Sequence, residues 1–137
     1  MKRGCSLSVM LILAVFAGSM GSVAAYAHHS VAALYNARKT IKIEGRLISF
    51  SFRSPHSFVI VEAPDVAGKM QRWEVAWNAA RELANTGITR ETFKPGDHVV
   101  ITGNPGRNPD DHIVRMVMFL RPSDGLTWGN RPGETFQ

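Results

Sequence analysis

The feature that most constrains the fold is a repeated alternation of apolar and polar residues over short segments. In the first segment Ile41 and Ile43 alternate with Lys42 and Glu44, which is the two-residue period of a half-buried strand. Gly45 then interrupts the pattern, and a glycine at such a place is typical of a bulge or bend where one strand serves two sides of a barrel. The chain is therefore predicted to be mostly β.

The remaining segments are separated by residues that favour turns. The predicted strands cover residues 40–52, 58–62, 70–77, 98–103 and 112–120, and a short helix covers residues 79–85. Asn78 is predicted to cap the helix and Gly87 to end it. Lys94-Pro95-Gly96-Asp97 is predicted to form a type II turn that sets the register of the fourth strand.

The element order is three strands, one short helix and two strands, without the helical crossovers that parallel sheets require. This is the order of a five-stranded OB-like β-barrel, all-β with one short helix. A β-sandwich of similar strand count is the alternative, but a helix after the third strand favours the barrel. We expect the helix to close one end of a single core, which contains Ile41, Ile43, Val59, Val61, Val75, Val99, Ile101, Val114 and Val117.

The first 27 residues have the layout of a secretory signal peptide. Lys2 and Arg3 precede a short apolar stretch, and Ala25-x-Ala27 is typical of a cleavage site. The apolar stretch is shorter than the roughly 18 residues expected of a membrane-spanning helix, and a retained anchor is the alternative. We predict a signal peptide at 1–27, an N-terminal arm at 28–39, the barrel at 40–120 and an irregular tail at 121–137. The mature protein is expected to be periplasmic or secreted, without a membrane segment.

Composition limits the classes of partner. Cleavage leaves 110 residues (137 − 27), enough for one domain, and removes only two charges, so the formal net charge falls from +5 to +3 (5 − 2). This mild basicity is not that of a polyanion-binding protein. Cys5 is the only cysteine and lies in the signal, so the mature domain depends on packing and not on disulfides.

Aromatic and basic residues cluster around the second and third strands. In a cytoplasmic OB-fold this pattern would suggest stacking of single-stranded nucleic acid, but export argues against nucleic acid. We expect the two tryptophans to be core and the cations to be solvated, with an aromatic or anionic small ligand as the alternative if a tryptophan is exposed beside Arg72. The residues are Arg53, Phe58, Lys69, Arg72, Trp73, Trp77 and Arg81.

Histidines give the strongest indication of chemistry. Cleavage after Ala27 would give His28 a free α-amine next to two imidazoles, and His56 lies between strands one and two. Amine and imidazole nitrogens lose their protons near neutral pH, and a set without thiolate suits Cu(II), then Zn(II) and Ni(II). The chelate could use His28 with His56, or the His28 amine with the amide and imidazole of His29. The simpler alternative is that His56 makes an ordinary hydrogen bond and that the histidine pair merely survives processing.

The two other histidines, His98 and His112, are not expected to bind a ligand. The loops that carry His56 and precede His112 flank the usual ligand face of an OB-fold. His112 is nevertheless expected to be the exposed start of strand five, and His98 to be structural. No nucleophile elbow, zinc-protease helix or phosphate loop is present, so we expect no enzymatic activity, no catalytic residue and no organic cofactor.

The motifs together resemble a family of small exported bacterial proteins of unknown function. The resemblance rests on Ala27-His28-His29-Ser30, on Ser54-Pro55-His56 where the family has Asn-Pro-His, on Trp73 to Leu83 with Gly87 after it, and on Phe93 before Lys94-Pro95-Gly96-Asp97. It covers nearly all of the mature chain and implies export and an OB-like barrel, but no established activity. Ser54 in place of asparagine removes a side-chain amide at that position.

The sequence thus predicts an exported binding module, with copper held by His28, His29 and His56 as the preferred ligand. The alternative is a periplasmic protein-interaction or small-ligand-binding domain without metal. A broad exposed apolar patch around Trp128 and Phe136 would favour docking onto an envelope protein.

Overall fold

A computed structural model of the chain describes residues 33–129. The chain divides into two compact units, Met1–Leu34 and Tyr35–Gln137. Of the first unit only Ala33 and Leu34 are described, and both are helical and exposed. The predicted signal peptide and the first part of the predicted arm lie outside the described residues, as do residues 130–137 of the predicted tail.

The second unit consists mainly of short strands. In the described residues the elements are β1 (Ile41–Ser51), β2 (Phe58–Pro64), β3 (Met70–Ala76), α1 (Ala80–Asn85), β4 (His98–Pro105), a 3₁₀ turn (Pro109–Asp111), β5 (Ile113–Arg121) and β6 (Leu126–Trp128). The first five strands and the helix occur in the predicted order, and each strand ends within about two residues of its prediction.

Strands β1 to β5 close into a barrel. β1 pairs antiparallel with β2 and with β4, β2 pairs with β3, and β4 pairs with β5. A short parallel pairing of β3 with β5, in which Val75 lies opposite Val114, completes the ring. Strand direction cannot alternate all the way round a ring with an odd number of strands, so one parallel pair is required. The predicted OB-like barrel is therefore confirmed, and the sandwich is excluded.

β1 serves both sides of the barrel, since its first half pairs with β4 and its second half with β2. Gly45 lies where the pairing changes. A Cβ there would lie 2.8 Å from the Ala63 Cβ and would collide with the Glu62 carbonyl oxygen. A register shift between Leu47 and Ser49 adds a bulge. The glycine and the bulge let β1 bend between two neighbours, as the interrupted pattern predicted.

One continuous apolar core fills the barrel. All predicted core residues except two are buried; Ile41 is partly buried and packs on the core. The prediction for Val117 is wrong, because 40% of this residue is exposed. The β4–β5 register shifts at Thr102–Gly103, which leaves Val117 without a partner and turns Met116 and Phe119 inward on either side of it. A bulge of this kind is not visible in the alternation of one strand.

The segment between β3 and β4 closes one end of the barrel. Leu83 of α1 is fully buried in the core, together with Ile88 and Phe93 from the residues after the helix. Gly87 follows the helix with φ of 85°, a conformation that favours glycine, so its predicted role in ending the helix is confirmed. The expected contact between helix and barrel is therefore present.

The predicted cap of α1 is wrong. The N-cap residue is Ala79, which makes no side-chain capping bond, whereas Asn78 donates from Nδ2 to Glu82 Oε2 at 2.9 Å. The reason lies in the backbone of Asn78, whose carbonyl accepts a 3.0 Å hydrogen bond from Ser57 N. Asn78 is thus tied to the loop before β2 and stands one residue before the cap position.

The predicted turn before β4 is confirmed. Gly96 has φ of 97°, and Asp97 N donates to the Lys94 carbonyl at 3.1 Å. The turn is also bound to β1, because Gly96 N donates to the Leu47 carbonyl and Leu47 N donates to the Asp97 carbonyl, both at 2.8 Å. These two bonds place the start of β4 against β1.

The prediction of an irregular tail is wrong for residues 126–128, which form β6. This strand pairs antiparallel with the end of β5, so that Trp128 lies opposite Phe119. Leu126 and Trp128 pack against the core, and the Trp128 ring lies edge-on to Trp77 at 5.2 Å. Partial burial of these two apolar side chains stabilises a strand that is too short to show a periodic pattern.

Candidate functional site

The candidate site is the outside of the barrel across β5, β3, β2 and β1, called here the outer face. In one row Arg115, Ala76, Phe58 and Ser51 lie opposite one another, and in the next row Ile113, Glu74, Ile60 and Ser49 do so. Directly opposite residues in a sheet point to the same side. The alternate residues of these strands are buried in the core, so both rows point outward.

The centre of the outer face is apolar and its surroundings are charged. Phe58 and Ile60 are each only partly buried. A third row beside them contains Glu62 opposite Arg72, and Glu62 accepts a 2.9 Å salt bridge from Arg46 Nη2. The outer face thus combines partly buried apolar side chains with the arginines Arg46, Arg72 and Arg115 and the glutamates Glu62 and Glu74.

The loop between β1 and β2, residues 52–57, lies at one end of the outer face. Ser57 is its only fully buried polar residue: its hydroxyl accepts from Arg53 N at 3.2 Å and donates to the Arg53 carbonyl at 3.1 Å. Its backbone binds Trp77 N and the Asn78 carbonyl. Ser57 therefore holds the loop against the end of β3, a role that no pattern in the sequence indicated.

This clamp positions two side chains at the edge of the outer face. The Arg53 guanidinium lies over the Phe58 ring, 5.1 Å from its centroid. His56 is exposed in the same loop. A cation over an aromatic face is favourable, so Arg53 is held beside the apolar centre.

The loop between β4 and β5, residues 106–112, was expected to end in an exposed histidine, and this expectation is wrong. His112 has φ of 48°, and only 21% of its side chain is exposed. Its ring lies edge-on to Trp73 at 5.0 Å, and its Nε2 is 4.0 Å from Asp65 Oδ2. The side chain turns inward because the left-handed backbone follows a 3₁₀ turn whose cap is Asn108.

Asp65 organises the turn between β2 and β3 that faces His112. Its carboxylate accepts hydrogen bonds from Gln71 Nε2, Lys69 N and Ala67 N. The Gln71 bond, followed by the backbone bonds and His112, lowers the pKa of Asp65 below its ordinary value, against the opposing effect of burial. The Asp65–His112 contact joins this turn to the loop before β5.

The end of the predicted arm lies beside the end of β4. Tyr35 forms an isolated bridge with Gly106, and Asn36 N donates to the Pro105 carbonyl at 2.8 Å. Burial raises the pKa of Tyr35, nearby Glu74 raises it further, and nearby Arg115 opposes them. Glu74 and Arg115 are therefore close enough to the Tyr35 phenol to influence its pKa.

Of the three predicted metal ligands, only His56 lies in the part of the chain that the structure describes. His28 and His29 lie outside residues 33–129, and His56 stands exposed in its loop. The described part of the chain contains no group of three or more His, Cys, Asp or Glu side chains that could hold a metal ion. His98 lies at the start of β4, opposite Arg46 of β1, with Nε2 2.9 Å from Glu44 Oε1.

The tryptophans are part of the core, as expected. Trp73 and Trp77 are 8% and 3% exposed, and Trp73 Nε1 donates to the Ala63 carbonyl at 3.2 Å. The predicted apolar patch around Trp128 and Phe136 is not seen in the described residues. Trp128 packs on Trp77, and Phe136 lies outside residues 33–129. Within residues 33–129, no helix is long and apolar enough to cross a membrane.

Comparison with known proteins identifies a family but no characterised relative. The family model described as "Family of unknown function (DUF6152)" matches residues 17–115. No curated protein and no solved structure matches the chain significantly.

Proposed function

The chain belongs to DUF6152, a family of unknown function, and we propose that it is an exported binding module that holds a small ligand on its outer face. Export is supported by Lys2 and Arg3, the apolar stretch after them and the Ala25-x-Ala27 cleavage pattern. An exported protein meets its ligand outside the cytoplasm, so the ligand of the outer face would be a molecule of that compartment.

One observation carries the binding proposal: partly buried Phe58 and Ile60 lie at the centre of the outer face, between two loops. In OB-folds the β2–β3 face and the loops after β1 and β4 are the usual ligand surface. Here the first loop is clamped by buried Ser57, and the second is tied to β3 because Glu74 N donates to the His112 carbonyl at 3.0 Å. Loops held in this way need little ordering when a ligand binds.

The experiment is amide chemical-shift mapping with three aromatic probes that differ in charge: benzoate, benzylamine and benzyl alcohol. At least one probe should bind, with its largest shifts at Phe58, Ile60 and Ala76. Absence of binding by all three, or shifts centred on another part of the surface, would contradict the proposal.

A second candidate function is Cu(II) binding at the mature N-terminus. The observation that favours it is the sequence Ala27-His28-His29, in which cleavage would produce an α-amine beside two imidazoles. His56 is the proposed third histidine ligand, and its side chain is exposed and accessible to a metal.

This candidate is tested by Cu(II) titration of protein that begins at His28. The matched variants carry one additional N-terminal residue or His56→Ala. The extension should weaken binding strongly, because an amide nitrogen replaces the amine. Equal Cu(II) affinity of all three proteins would exclude the proposed ligand set and leave the outer-face proposal unaffected.

A further inference from the structure

The arrangement of charges on the outer face points to the chemical class of its ligand, an inference that rests on the proposed function. Arg115 and Phe58 flank Ala76 in one row across β5, β3 and β2. Neighbouring strands lie about 4.8 Å apart, so the Cα atoms of Arg115 and Phe58 are separated by roughly 10 Å. Between them Ala76 contributes only a methyl group. The row therefore has a small residue between two large ones, and the space above Ala76 is called here the trough.

Both ends of this trough carry a guanidinium. Arg53 lies over the Phe58 ring at one end, and Arg115 stands at the other. Neither arginine forms a salt bridge with another described residue, whereas Arg46 on the same outer face is paired with Glu62. Guanidinium groups bind carboxylates through two parallel hydrogen bonds. Two guanidiniums at the two ends of one row, without a salt bridge to a described residue, would attract an oxyanion.

The apolar centre adds a second requirement. Phe58 lies at one end of the row that contains the trough and Ile60 lies in the next row, so a planar apolar group could contact both. Glu74 lies opposite Ile60, so a second negative charge on the ligand would be repelled. We propose that the outer face binds a singly charged aromatic carboxylate, with its carboxylate between Arg53 and Arg115 and its ring over Ile60, beside the Phe58 ring whose face Arg53 covers.

The test compares dissociation constants for benzoate and benzylamine, which have similar ring size and opposite charge. Benzoate should bind more tightly, with shifts at Phe58, Ala76 and Arg115. Arg53→Gln and Arg115→Gln should each weaken benzoate binding by about threefold or more, as expected for partly exposed charge pairs. Glu74→Gln should tighten it. Lys94→Gln is the control: it also removes one positive charge, but at a position that is not on the outer face. It should leave benzoate binding unchanged.

The outcomes separate this inference from the proposed function. If benzylamine binds the outer face as tightly as benzoate, or if both arginine variants bind benzoate like the wild type, the carboxylate assignment is wrong while the outer face remains a binding site. If no probe binds the outer face, both proposals fail. A variant counts as folded only if its amide spectrum outside the outer face matches that of the wild type. Arg53→Lys provides a second, milder change at the Arg53 position.

Discussion

The carboxylate of Asp97 accepts a 2.8 Å hydrogen bond from Arg121 Nη1, which joins the end of β5 to the turn before β4. The same nitrogen donates to the Thr92 carbonyl at 2.6 Å, and the guanidinium lies 5.4 Å from the centroid of the Phe93 ring. The other side of the guanidinium binds Asp124 in the turn before β6. One side chain thus connects three segments at this end of the barrel.

Arg121→Lys should destabilise the fold although it preserves the charge. A lysine cannot reproduce the planar fork that serves Asp97 and Asp124 together, and loss of these charged hydrogen bonds is expected to cost about 1–3 kcal/mol in the free energy of unfolding. Urea unfolding measures the change. Arg81→Lys, at an exposed position of α1, is the control and should change the value by less than about 0.5 kcal/mol. Equal stability of the two variants would show that Arg121 is not a structural centre.

Asp124 should contribute to stability in a pH-dependent way. Its pKa is lowered, first by the hydrogen bonds from Arg121 and then by the bond from Leu126 N. A carboxyl whose pKa is lower in the folded state stabilises the fold above its unfolded pKa of about 3.9, and this contribution is lost as the pH falls through the lower folded value. The melting temperature of Asp124→Asn should therefore lie below that of the wild type at pH 7, and the difference should shrink below about pH 4. A difference that stays constant with pH would contradict this assignment.

Gly96→Val should reduce stability without changing ligand binding. Gly96 has φ of 97°, and a left-handed conformation costs an L-residue about 1–2 kcal/mol. Gly96→Asn is the matched control and should cost less, because asparagine tolerates positive φ. The turn lies off the outer face, so folded Gly96→Val should bind Cu(II) and the aromatic probes with wild-type affinity. Lost affinity in a folded variant would show that the turn contributes to a site.

Much of the barrel could be predicted because its strands follow one rule, in which alternate residues enter the core. The rule fails at Val117, where a register shift interrupts the alternation, and at β6, where three residues are too few to show it. His112 was missed because its inward position depends on a left-handed backbone after the 3₁₀ turn.

The candidate site was less predictable, because it depends on which strands become neighbours. Arg115 points outward by simple alternation with Val114, yet its place beside Ala76 follows only from the parallel pairing that closes the barrel. Ser57 gave no signal at all, since its hydroxyl bonds depend on the path of the loop. The predicted ligands His28 and His29 lie outside the described residues, and the copper hypothesis stays a prediction.

The central claim is that the outer face is the binding surface. It is tested most directly by measuring how tightly Ile60→Thr binds an aromatic probe. The probe is the one of the three that binds the wild type most tightly. Loss of apolar contact at the centre of the face should weaken that probe by about threefold or more. Val66→Thr makes a similar change at the fully exposed turn between β2 and β3 and should bind like the wild type. Unchanged affinity in folded Ile60→Thr, or equal weakening in both variants, would contradict the account.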